Sequence, residues 1–134
     1  MKTNKLPILL ALLALMISTL ACGGSISSAN ISDAWLANDA EGNNHMTTFG
    51  QSDVMNLFIV LKNAPDDTEL KVSWVAVQAE GVDPNFVVNE SSYKSGDDTV
   101  HFDLSNDNLW PVGSYKADIY LNGKLDRTLT FEVQ

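Results

Sequence analysis

Residues 113–133 read GSYKADIYLNGKLDRTLTFEV, and the alternation in this stretch decides the fold. From Gly113 to Leu121, Tyr115, Ala117, Ile119 and Leu121 fall on one face and polar residues mostly on the other. A period of two marks a strand that is half buried on a sheet. Asn122-Gly123 comes next. Both residues tolerate positive φ, so this pair is the strongest short signal for a two-residue hairpin. The returning strand carries Leu129, Phe131 and Val133 and ends one residue before Gln134.

The same grammar holds upstream. Strands are expected over 31–38, 54–62, 69–78, 86–93 and 99–104. The 54–62 run is apolar on both faces, which suits a central strand, whereas 86–93 is weaker and suits an edge. In 69–78, Leu70, Val72, Trp74 and Ala76 share a face; in 99–104, Val100, Phe102 and Leu104 do. Turns are marked by Ala64-Pro65-Asp66-Asp67-Thr68 and Ser95-Gly96-Asp97-Asp98, where proline pre-sets φ and aspartate accepts local backbone bonds. No window from Ile31 onward has sustained helical spacing. The reading is all-β: seven antiparallel strands over residues 31–134, with no second domain and no repeat. A two-sheet sandwich fits best, and a closed barrel is the other architecture open. A domain of this size buries roughly 65% of its unfolded surface, so it needs neither disulfide nor metal to fold.

Leu109, Pro111, Gly113 and Tyr115 stand just before the sixth expected strand. This stretch resembles the Leu-x-Pro…Tyr segment of fibronectin type III domains and the tyrosine corner of related sandwiches. The resemblance implies an immunoglobulin-like β-sandwich in which the Tyr115 hydroxyl bonds backbone upstream. Trp74 resembles the buried tryptophan of immunoglobulin domains. The paired cysteines of antibody domains are absent, since Cys22 is the one cysteine in the chain.

The N-terminus has an export layout. Lys2 and Lys5 precede an apolar run from Leu6 to Leu20 that is shorter than the ~20 residues a membrane-spanning helix needs. Thr19-Leu20-Ala21-Cys22 resembles the lipobox of bacterial lipoproteins. That resemblance implies a signal peptide over 1–21 and cleavage before Cys22. It further implies diacylglycerol on the Cys22 sulfur and acylation of the new N-terminus, with two or more chains giving stable anchorage. The alternative is a secretory signal cut elsewhere, leaving Cys22 a free thiol. Gly23 to Asn30 is uncharged, Gly/Ser-rich linker that reaches about 26–29 Å when extended.

Charge narrows the function classes. The chain carries 8 Lys+Arg against 17 Asp+Glu, a net charge of −9, and a chain starting at Cys22 would carry −11. Neither nucleic acid nor anionic lipid head groups suit such a field. His45 and His101 fall in unrelated places, no Gly-x-Ser-x-Gly elbow is present, and no acid, base and nucleophile converge. The expectation is a protein without catalytic activity or cofactor, held in a bacterial cell membrane or outer membrane through Cys22. It would face the periplasm or cell surface and bind an envelope protein, or serve adhesion. Val75, Val77 and Tyr120, flanked by Thr128 and Thr130, form a possible interaction face, with Trp110 in a nearby loop. The same residues fit ordinary strand preference on an exposed sheet. The alternative class is a surface module for carbohydrate, stacking on Trp110 or Trp35, or for calcium, held by Asp66, Asp67, Asp97 and Asp98.

Overall fold

The computed structural model describes residues 28–134, so Cys22 and the segment expected to direct export lie outside the described residues. The described residues form eight strands and no helix. They are β1 (Asn30–Ala37), β2 (Thr48–Phe49), β3 (Met55–Lys62), β4 (Thr68–Ala79), β5 (Phe86–Ser95), β6 (Asp98–Leu104), β7 (Gly113–Leu121) and β8 (Lys124–Val133). Two sheets result, in the orders β1-β3-β6 and β2-β8-β7-β4-β5.

The expectation of seven strands, all antiparallel, needs correction at β2. This two-residue strand runs parallel to β8, pairing Thr48 with Glu132 and Phe49 with Val133. Two residues carry no readable period. The β8 backbone recruits them, through Glu132 N–H to Thr47 O at 2.8 Å and Gln134 N–H to Phe49 O at 2.9 Å.

The inward faces follow the alternation. Met55, Leu57, Ile59 and Leu61 from β3 meet Leu70, Val72, Trp74 and Ala76 from β4, with Val100, Phe102, Tyr115, Ile119 and Phe131, in one core drawn from both sheets. Each large side chain buried this way stabilises the fold by roughly 1.5–3 kcal/mol. β3 lies between β1 and β6; one of its faces enters the core, and on the other Phe58 is buried against Trp35 and His101. The β7–β8 loop is the two-residue Asn122-Gly123, with φ of 49° and 81° and Leu121 paired to Lys124. Asn122 Oδ1 also accepts the Glu69 N–H at 2.9 Å, which pins the hairpin to β4.

The Tyr115 hydroxyl donates to Pro111 O at 2.6 Å, the upstream backbone bond that the sequence pattern implies. Its ring stacks on Phe131 at 5.4 Å. Burial disfavours the phenolate and raises the Tyr115 pKa above its usual value. The neighbouring leucine departs from the pattern. Leu109 is 64% exposed, and Trp110, 5% exposed, fills the core position instead.

Strand pairing sorts the loops to two poles. Asn30 pairs with Lys62, Leu61 with Asp98, and Thr68 with Ser95, so the start of β1 shares a pole with the Asp66 and Asp97 turns. Ser28 Oγ bonds Asn63 O at 2.9 Å at that same pole. Loops 38–47, 80–85 and 105–112 lie at the other.

Candidate interaction surface

The apolar face expected on β4 and β7 is not an exposed patch. Val75 is only 6% exposed, flanked in register by Lys116 on β7 and Val87 on β5. Val77 and Tyr120 are half-buried, and the Lys71 ammonium lies 5.0 Å above the Tyr120 ring. Around them the outer face is a polar lattice. Lys71 pairs with Glu90 at 3.5 Å and Lys116 with Asp118 at 3.3 Å, while Thr128 Oγ1 donates to Asp118 Oδ1 at 2.6 Å. Alternation fixes which way a side chain leaves the sheet, but not whether a long neighbour covers it.

Trp110 is likewise withdrawn from any binding face. Its Nε1–H donates to Asp53 O at 3.1 Å and its backbone N–H to Gln51 O at 2.8 Å, while its ring meets Tyr115 edge-on at 6.5 Å. It closes the far end of the core. Trp35 stands in a row of four rings on the outer side of the smaller sheet. His45 stacks on it at 5.1 Å, Phe58 covers its other side at 5.5 Å, and His101 stacks on Phe58 at 4.5 Å. Register explains the row, because Trp35 is opposite Phe58 and Phe58 is opposite His101. The two histidines that looked unrelated in sequence thus end one stack. The Trp35 Nε1–H donates to Gly42 O at 2.9 Å, and His101 Nε2 lies 2.8 Å from Asn56 Oδ1.

Three of the four aspartates at the near pole have local partners. Asp97 accepts the Ala64 N–H at 2.6 Å, Asp98 accepts the Thr99 N–H at 2.8 Å, and Asp66 lies against Gly96. Among the described residues no three His, Cys, Asp or Glu side chains gather as a metal-ion site. At the far pole Asp39 accepts the Asn43 and Asn44 N–H groups at 2.9 and 2.8 Å. These bonds hold its pKa below the ordinary value, so the clasp is lost as pH falls through that lowered range.

β5 takes the edge position expected for 86–93, but the sequence did not single out its surface. None of its residues is buried, and Phe86, Val87 and Tyr93 are about half exposed. Among the described residues β5 pairs with β4 alone, so its other side carries unpaired N–H and C=O groups. Beside it, facing β6, lies an open groove of about 490 Å³ lined by Ser91, Tyr93, Thr99, Val100 and His101. A sheet edge of this kind takes an added strand, with backbone bonds giving affinity and side-chain pockets giving selectivity.

No protein-family model and no curated relative matches the chain. Solved structures do. An immunoglobulin-like protein from Pseudomonas aeruginosa superposes with a TM-score of 0.54 at 11% identity, over 83% of this chain and 100% of that one. The fold is immunoglobulin-like. An alkylpurine DNA glycosylase from Pseudomonas fluorescens, bound to DNA containing an abasic-site analogue, gives 0.53 at 13% identity over 81% of this chain. A β-glucosidase from Listeria innocua gives 0.50 at 16% over 83%. The chain spans only 31% of the glycosylase and 17% of the glucosidase. At these identities the likeness is one of fold alone.

Proposed function

We propose that this chain is a lipid-anchored, extracytoplasmic β-sandwich module of a bacterial envelope, without catalytic activity, that binds a protein through its β5 edge. The observation that carries the reading is that edge: ten residues with none buried, three large apolar side chains half exposed, and one side unpaired. The Leu20-Ala21-Cys22 stretch supports the anchor. A tether from Cys22 enters β1 at the pole of the Asp97 turn. It holds that pole toward the bilayer and leaves loops 38–47, 80–85 and 105–112 outward. β5 runs between the two poles.

The carbohydrate reading is the weaker one. Trp74 and Trp110 are buried, and Trp35 has a ring on each face, so no tryptophan offers a free face to a sugar.

A photo-reactive residue placed at Tyr93, and separately at Thr130, in the full chain within producing cells tests the binding edge. Protein adducts are expected from position 93 and not from position 130. Adducts from 130 alone, or from neither, would overturn the β5 assignment.

A further inference from the structure

Among the described residues three long strands form sheet edges, and they differ in charge. β1 carries Asp33, β6 carries Asp98 and Asp103, and β5 carries one Glu90 and one Lys94. In a chain of net charge −9, two copies repel over most of their surface. β5 is the long edge along which they meet without adding like charge.

Its geometry is also symmetric. The ladder to β4 runs without interruption from Ser95, opposite Thr68, to Asn89, opposite Trp74, and then breaks at a bulge beyond which Val75 pairs with Val87. The regular stretch Asn89–Ser95 therefore has Ser92 at its midpoint. Glu90 and Lys94 stand two residues either side of Ser92, in register with Ser73 and Glu69 and on the same face of the strand.

We propose that the partner of the β5 edge is a second copy of this chain, paired antiparallel about a two-fold axis through Ser92. The proposal rests on the reading of β5 as the binding edge. In this register Glu90 lies opposite Lys94 of the second copy, and Lys94 opposite its Glu90. Ser91 lies opposite Tyr93 on the inner face. Moving the axis by one residue leaves both charges without an opposite partner; moving it by two sets Glu90 on Glu90 or Lys94 on Lys94. Charge and ladder continuity thus select the same centre. Opposite charges directly across an antiparallel pair stabilise it, and like charges there destabilise it. The interface is isologous and joins the two five-stranded sheets into one continuous sheet. Antiparallel pairing also turns the second copy end for end, so the two Asn30 ends leave at opposite poles. Upright on their tethers, paired copies stand on two facing membranes, a geometry suited to adhesion.

Directly opposed residues of an antiparallel pair have Cα atoms about 4.5–5.5 Å apart, within disulfide range. Ser92→Cys in the full chain, reconstituted in phosphatidylcholine vesicles and mildly oxidised, is expected to give a covalent dimer. Ser95→Cys, which would face Asn89 of the second copy, and the wild type are expected to give none. In sedimentation of the detergent-solubilised full chain, Glu90→Lys and Lys94→Glu alone should each weaken self-association on the order of tenfold. The combined swap should restore it. A monomeric Ser92→Cys, equal cross-linking of Ser95→Cys, or a double swap as weak as the singles would overturn the proposal. If Ser92→Cys stays monomeric while position 93 yields adducts heavier than two copies, the β5 edge stands and the second copy falls.

Discussion

Trp110→Ala is expected to lower the stability of the domain by about 3–5 kcal/mol, the range for an aromatic truncated in a packed core. The indole is 5% exposed, at the far end of the core, beside Tyr115. Alanine would leave a void there and strand the Asp53 carbonyl that accepts the indole N–H at 3.1 Å. The backbone bonds that tie residue 110 to Gln51, N–H to Gln51 O at 2.8 Å and Gln51 Nε2 to Trp110 O at 2.9 Å, are available to alanine as well, so the loss is that of the indole. The urea midpoint reads this directly. A midpoint within error of wild type would mean that Trp110 is a surface group, and would return it to the list of ligand-facing residues.

Gly113→Ala is expected to cost about 3 kcal/mol or more, at or beyond the upper end of ordinary overpacking. Gly113 pairs with Ala79 where the β4–β7 register slips between Ala76 and Gln78. A Cβ at Gly113 would overlap the Gln78 carbonyl oxygen and lie 2.5 Å from the Ala79 Cα. These are backbone atoms of a central strand pair, so no flexible side chain can swing away. Gly123 provides the contrast. An added Cβ meets nothing within 4 Å there, and only its φ of 81° resists a side chain. Gly123→Ala should then cost about 1–2 kcal/mol, the penalty of one left-handed residue. Paired chemical denaturation of the two variants tests the difference. Equal losses would mean that the approach of β7 to β4 is not the limiting contact.

The sheets were legible in the sequence because alternation is a local signal. Leu70, Val72, Trp74 and Ala76 had to share a face, and Asn122-Gly123 could hardly be anything but a tight turn. Tyr115 was legible through the resemblance of its Leu109-Pro111-Tyr115 stretch to a tyrosine corner, and its hydroxyl does bond Pro111 O. The proposed binding surface was not legible as an exposed surface. Exposure depends on neighbours that lie far apart in sequence: Val75 is buried between strands that set Lys116 and Val87 beside it, and Trp35 stacks with His45 and Phe58. The edge position itself was legible: the weak apolar content of 86–93 suited an edge, and β5 ends its sheet. Nothing local said that this edge was long, balanced in charge and bounded by a bulge. β2 escaped for a simpler reason: two residues hold no period.

The most direct measurement of the central proposal, a lipid-tethered binding module, concerns Cys22, which lies outside the described residues. Cells producing the full chain are fed a clickable fatty acid, and the purified wild type is compared with Cys22→Ala. The expected result is label on the wild type, none on Cys22→Ala, and failure of the variant to be processed and retained as the mature membrane form. Equal labelling of the two proteins, or an unlabelled wild type, would contradict the anchor and with it the placement of the β5 edge at a membrane surface.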